Sequence, residues 1–248
     1  MSKVLVIQHV ACEGLGIIEP ELKKYGLKAD FLKVFKNASL PRRIPQGYGA
    51  LIVLGGPMGV YEDGVYPFIK DELNLLESAL KTDLPILGVC LGSQMLAKAA
   101  GADVYKGKAK EIGWYKAELA GEGMKDRLFL GMPEEFTVFQ WHGDTFDLPK
   151  GAVNLASSKL FKNQAIRVGR NAYGLQFHLE VTEKMIGEWI EVNAGELKSL
   201  KGFIDPDEIL KETPKRIDAL KRHGAAVISR FLRAVATGCE VCGQAHQR

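Results

Sequence analysis

The chain has 248 residues, 46% of them hydrophobic and 25% charged, with a formal net charge of +3. That is enough chain to bury a sizeable core with an ordinary globular composition, and a balance so near neutrality calls for neither nucleic acid nor an anionic membrane as partner. The four cysteines are irregularly spaced and make no disulfide framework; no apolar run approaches the roughly 20 residues that cross a bilayer, so a reduced, cytoplasmic protein is expected.

Lys3 followed by Val4, Leu5, Val6 and Ile7 reads as a strand, too short and wrongly flanked for a signal peptide. Further strands are predicted over residues 29–35, 50–54 and 85–89. Between them lie two helices. Ile17, Ile18 and Leu22 with an early Pro20 mark the first, closed by Gly26. Ile69, Leu73, Leu76 and Leu80, after Pro67, give the second one apolar face. Such alternation predicts right-handed βαβ units and a mostly parallel sheet covered on both faces. From residue 102 the pattern changes to strands separated by turns, at 104–105, 113–119, 135–141, 163–167 and 173–178, several of them antiparallel. Lys106, Lys108 and Lys110, interrupted by Glu111, read between them as a solvated loop. After Glu180 the chain turns helical, over 182–196, again from Asp205-Pro206 with acids in the first turn, and finally on the spacing of Ile228, Phe231, Leu232 and Val235. With no linker and no internal repeat, residues 1–236 are expected to form one domain, the helices of 206–236 packed on it, and 237–248 a tail.

The chemistry concentrates in Gly88-Val89-Cys90-Leu91-Gly92, where a buried strand runs directly into a helix. This is a nucleophile elbow carrying cysteine. Glycines two positions either side let strand and helix approach, and the sulfur falls at a helix N-terminus, whose positive end favours thiolate. The Leu91 N–H points toward an oxyanion formed at the sulfur. A second donor is expected from Gly55-Gly56-Pro57, a turn directly after the third strand, with Gly56 able to approach a carbonyl unobstructed. In open α/β sheets such loops gather at the carboxyl ends of strands. His178 and Glu180 lie two apart at the end of another strand and so share one side of it. They suit a base and the group that orients it. Each motif alone has a bland reading: a buried inert cysteine, a common turn, an incidental His-x-Glu. Their joint appearance at three strand ends favours function.

Gly88-Val-Cys90-Leu-Gly92-Ser-Gln94 together with Gln176-Phe-His178-Leu-Glu180 resembles the class I, triad-type glutamine amidotransferases, in their stand-alone GMP synthase-like branch. Residues 54–61, Glu111-Ile-Gly113 and Trp141-His-Gly-Asp144 extend the resemblance, which covers roughly residues 1–190. It implies a flavodoxin-like sheet, a γ-glutamyl thioester on Cys90, and binding of the glutamine substrate with help from Gln94 and the Gly55 turn, without metal or organic cofactor. Where many members have His-Pro-Glu this chain has Leu179, which points away from the side bearing His178 and Glu180. The chain leaves no room for an ATP-pyrophosphatase half, and it has no phosphate-binding Gly-x-x-x-x-Gly-Lys-Ser/Thr loop. GMP synthesis by this chain alone is therefore not expected; what the ammonia serves stays open, and delivery to a separate synthetase is one use. Two alternatives stand beside this: a γ-glutamyl peptidase, and a non-catalytic binding or stress protein with a reactive elbow cysteine.

Lesser candidates remain. His142 suits substrate or partner contact, or equally the support of its loop. His9 and Glu13, just beyond the first strand, are placed to line the same edge of the sheet, but packing is the favoured reading for both. Cys239, Cys242 and His246 offer three zinc-type ligands, but one Cys-x-x-Cys pair is weak evidence for a metal.

Overall fold

The computed structural model describes residues 3–37 and 39–236; Cys239, Cys242 and His246 lie outside them. In chain order the elements are β1 (Lys3–Gln8), α1 (Ile18–Lys24), β2 (Lys28–Lys33), a 3-10 turn (Val34–Lys36), β3 (Tyr48–Val53), α2 (Phe68–Lys81), β4 (Ile86–Val89) and α3 (Leu91–Ala99). There follow β5 (Val104–Leu119), α4 (Gly121–Lys125), β6 (Glu135–Phe146), β7 (Val153–Ser157), β8 (Ala165–Val168), β9 (Ala172–Leu175), α5 (Glu183–Val192), α6 (Ala194–Ser199) and α7 (Pro206–Ala236).

All nine strands form one sheet in the order β2-β1-β3-β4-β9-β8-β7-β5-β6. The first five neighbours pair in parallel, from β2 through β9, and the rest antiparallel. The parallel half is the flavodoxin-like arrangement, with β1, β3, β4 and β9 buried on both faces and β2 a partly exposed edge. Period-two alternation divides them between two cores. Val4 and Val6 of β1 join Ala50 and Ile52 of β3 beneath α1 and α7. Leu5, Ile7, Leu51 and Val53 face α2 and α3 through Ile69, Leu75, Leu76 and Met95.

Several expectations change. The strand at 29–35 stops at Lys33, where the chain enters the 3-10 turn. The buried stripe of α2 is Ile69, Glu72, Leu75, Leu76 and Ala79, so Leu73 and Leu80 only flank it; a carboxylate therefore sits on the buried face, and its partner is described below. The strands at 104–105 and 113–119 are one, β5, which carries the three lysines through a register shift between Lys106 and Glu111. The lysines are exposed but extended rather than looped. β7 was not foreseen. The helix at 182–196 breaks at Asn193 into α5 and α6, although Thr182 caps it as its position suggests, accepting from the Met185 N–H. The two terminal helices are one, 31 residues long, running through Pro214. That proline forfeits one ladder bond, and the buried apolar stripe from Ile209 to Val235 holds the helix on the sheet regardless.

Candidate active site

The carboxyl ends of β1, β3, β4 and β9 meet at one edge of the sheet. Here β4 ends and α3 begins on Cys90, whose φ of 51° and ψ of −108° make it one of three non-glycine residues with positive φ among those described. Such a conformation is costly for a side-chain-bearing residue, and the neighbours enforce it. The Cys90 N–H donates to the Leu175 carbonyl at 2.7 Å. A Cβ on Gly88 would fall 2.3 Å from the Gly92 carbonyl oxygen, and one on Gly92 2.1 Å from that of Val53. Only glycine permits this strand–helix approach.

His178 does not lie within β9, which ends at Leu175. It is held by an isolated bridge to β6, its N–H donating to the Phe139 carbonyl at 2.8 Å. The ring is fixed on two further sides. Glu180 Oε1 lies 2.6 Å from Nδ1, and the Trp189 indole of α5 meets the imidazole edge-on with 4.7 Å between centroids. The Cys90 sulfur is close enough to raise the imidazole's proton affinity, and its thiol donates to the Trp141 carbonyl at 3.6 Å. Sulfur, imidazole and carboxylate are thus brought together, all nearly inaccessible, with Cys90 and His178 lining a cleft of about 1140 Å³ and Glu180 behind them.

Electrostatics modify the expectation for the thiol. Burial pushes the Cys90 thiol up, with Glu13 and Glu180 adding to it, against the pull of His178. Burial also opposes a charged His178, but Glu180 and the sulfur outweigh it and hold the imidazole well above its ordinary value. Both groups therefore keep protons to higher pH than they would in water, and the sulfur–imidazole pair titrates as a unit.

Gly56 and Leu91 stand beside the sulfur. A Cβ on Gly56 would sit 2.8 Å from His9 Cβ and 3.0 Å from Leu91 Cδ2, so the two residues belong to one packed corner. Leu91 is the first residue of α3, whose opening N–H groups have no intrahelical acceptor. Gly55 is placed by His9, whose Nδ1 lies 3.0 Å from the Gly55 carbonyl while Nε2 meets Glu72 Oε2 at 3.0 Å. His9 packs, as expected, and it is the partner of the buried carboxylate of α2. Gln94 lines the cleft and donates to Gln176 Oε1 at 3.2 Å and to the Asp144 carbonyl at 3.4 Å. His142 also reaches the cleft, but both ring nitrogens are engaged, Nδ1 by the Asp144 carbonyl and Nε2 by Glu111. Glu111 in turn accepts from Ser158 and Gln164. Tyr61 Oη donates to Asp144 Oδ2 at 2.8 Å, joining the loop after β3 to the turn of β6 across the cleft. Among the described residues no cluster of three or more His, Cys, Asp or Glu is arranged to hold a metal ion, and no helix is long and apolar enough to cross a membrane.

A profile described as "Glutamine amidotransferase class-I" matches residues 17–194. The chain belongs to that family. This class I amidotransferase is an enzyme, and solved structures resemble it over nearly its whole length. A glutamine amidotransferase from Thermotoga maritima is 41% identical with a TM-score of 0.84, the match covering 93% of this chain and 98% of that one. Another from Methylobacillus flagellatus has the same TM-score at 31% identity, covering 94% and 95%. The glutamine amidotransferase-like protein YfeJ of Salmonella typhimurium is 29% identical over 81% of this chain and 84% of its own length. The GMP synthase of Latilactobacillus sakei is 32% identical over 77% of this chain, which spans only 35% of that protein.

Three participants in the amidotransferase site escaped sequence reasoning. Gln176 places its amide nitrogen 3.8 Å from the Cys90 sulfur; its spacing from His178 carried a signal, two residues along the same segment. Trp189, which buttresses His178 and donates to the Cys12 carbonyl at 3.0 Å, looked like ordinary helix core. Glu13 was expected to pack, yet it lines the cleft with Cys90 and His178; it precedes the span matched by the family profile.

Proposed function

We propose that this amidotransferase hydrolyses the side-chain amide of glutamine through a γ-glutamyl thioester on Cys90. The observation that carries the reading is the constellation of Cys90, His178 and Glu180 at one sheet edge, with the Nδ1–Oε1 contact of 2.6 Å fixing the imidazole toward the sulfur. The sulfur attacks the amide carbon, its proton passing to His178, while the Leu91 and Gly56 N–H groups receive the oxyanion. His178 then delivers that proton to the departing nitrogen, and ammonia leaves. Water, deprotonated by the same imidazole, attacks the thioester carbon; glutamate departs and the sulfur regains its proton. Gln94 and His142 line the cleft where the α-amino and α-carboxyl groups would be held, and Gly55 leads into it through the cleft-lining Gly56. The ammonia would go to a separate synthetase, in keeping with the likeness to one part of the much longer GMP synthases.

The size of the cleft, about 1140 Å³, favours one second reading. It exceeds what free glutamine fills and leaves space for a larger leaving amine, as in a γ-glutamyl peptide, with the same catalytic groups. Ammonia and glutamate release from L-glutamine, run beside γ-glutamyl peptides with wild type and Cys90→Ala, tests both. Turnover should vanish in Cys90→Ala while its melting temperature holds. Unchanged turnover in that variant would sink the assignment, and turnover of peptide alone would make the enzyme a γ-glutamyl peptidase.

A further inference from the structure

The loop after β1 carries a carboxylate whose surroundings are built but incomplete. Its backbone is pinned throughout. Gln8 Nε2 donates to the Val10 carbonyl at 3.1 Å and to that of Glu13 at 3.3 Å. Trp189 Nε1 donates to Cys12, and the Ile17 N–H donates to the Glu180 carbonyl at 2.8 Å. The Glu13 side chain is turned into the cleft, and among the described residues nothing donates to its carboxylate. A Cβ on Gly55 would fall 2.1 Å from Glu13 Oε2 and 3.3 Å from His178 Cε1, so the carboxylate and the imidazole edge share the space that this glycine leaves empty. The carboxylate is half-buried at the cleft, so water is the donor it has before substrate binds; a loop anchored this firmly holds a free acceptor against the imidazole, ready for a donor that arrives with the substrate.

The geometry points to Glu13 as a catalytic residue that accepts hydrogen bonds from the N–H groups of the scissile carboxamide and of the ammonia leaving it. This deepens the hydrolase reading and rests on it. The carbon under attack must sit on the Cys90 sulfur, and its nitrogen must lie where His178 can protonate it. The imidazole serves the nitrogen lone pair, which leaves two N–H donors to satisfy in a largely dry site. Glu13, against the same edge of His178, is placed to take one. The α-ammonium of glutamine is a poorer fit, because four bonds separate it from the reacting carbon. Glu13 needs no proton of its own for this role; it accepts while ionised. Burial, with Glu180 nearby, pushes its pKa up to about 7 against the pull of His178 and His9. The other groups facing it are Cys90 and Cys12, whose thiols its charge raises. Ionisation of Glu13 should therefore contribute one limb of the pH–rate profile near neutrality.

The decisive comparison uses two substrates, glutamine and glutamic acid γ-methyl ester, whose leaving atom bears no N–H. In Glu13→Gln, kcat for glutamine should fall roughly tenfold to a hundredfold, the weight of a charge-assisted hydrogen bond made in the transition state. KM should change little, the limb near pH 7 should disappear, and ester hydrolysis should hold within about twofold. Glu13→Asp should recover part of the amide rate. An equal loss on amide and ester, or no loss on either, would overturn the role. Wild type inactive toward both substrates would overturn the hydrolase reading itself, an outcome separable from the others because it does not involve the variant.

Discussion

Two buried histidine–carboxylate pairs lie on either side of the same glycine turn, and they do opposite things. His178 meets Glu180 at 2.6 Å and His9 meets Glu72 at 3.0 Å. In each pair burial opposes the charged ring and the carboxylate outweighs it, so both imidazoles titrate above their ordinary value. The difference is what the second edge of the ring faces. For His178 it is the Cys90 sulfur at the cleft; for His9 it is the Gly55 carbonyl, with both partners sealed from solvent. In the proposed reaction one pair moves protons, while the other holds the loop that carries Gly55 and Gly56. A His–Glu contact therefore says little about function until the ring's other neighbour is known.

The largest effect expected from breaking this contrast, after loss of Cys90, is that of Glu180→Gln. A neutral amide cannot stabilise the imidazolium that forms during acylation, and kcat should drop by roughly 10²–10⁴. His178 loses a main cause of its raised pKa. The singly protonated sulfur–imidazole pair should then appear at lower pH, and the rising limb of kcat/KM should move in the acid direction. A profile that keeps its position would mean that Glu180 does not set the His178 proton affinity.

Glu72→Gln should act on the fold more than on the chemistry. Removing one charge from a buried pair typically costs about 3–5 kcal/mol. The pH dependence follows from the raised pKa of His9. A group held above its unfolded value of 6.5 contributes its full stability below that pH and loses it as pH climbs through the folded value. The gap between wild type and Glu72→Gln in urea unfolding should thus be widest below pH 6.5 and narrow as the pH climbs above it. A gap that widens with pH would show that the pair is held together in some other protonation state.

The same contrast explains what could be read from the chain in advance. The parallel half was legible because its central strands are short apolar runs and its helices keep a helical period, and the elbow because Gly88 and Gly92 flank Cys90 at the spacing the turn demands. His178 and Glu180 were legible because two residues of extended chain suffice to align them. Glu72 and His9 were not, since 63 residues separate them and only the β1–α2 packing brings them together. Glu13 was misread as packing for a related reason. Its meaning depends on Gly16, where a Cβ would lie 1.9 Å from the Glu180 carbonyl oxygen, docking the loop after β1 onto the segment that carries the triad. Such contacts between distant strand ends leave no local periodicity. The same holds for Gly224 of α7, whose Cβ would fall 2.4 Å from the Leu179 carbonyl oxygen and so explains a small residue in a long helix.

The smallest expected effect sharpens the comparison with a third pair, His142 and Glu111, at 3.2 Å. This ring, like that of His9, spends its other nitrogen on a backbone carbonyl, that of Asp144, and so belongs with the holding pairs. Glu111 is better served than Glu72. Its Oε1 accepts from Ser158 Oγ and its Oε2 from Gln164 Nε2, each at 2.7 Å, whereas Glu72 Oε1 is buried without a partner. Ser158→Ala leaves Glu111 Oε1 without that donor and should cost about 1–3 kcal/mol in urea unfolding. Gln164 and His142 still tie Glu111 to the sheet, so glutamine turnover should change by less than about twofold. If Ser158→Ala instead lowers kcat strongly while stability holds, the His142 pair must be counted with His178 among the groups that act on substrate, and the neighbour of the ring's second nitrogen would not be a sufficient guide to its role.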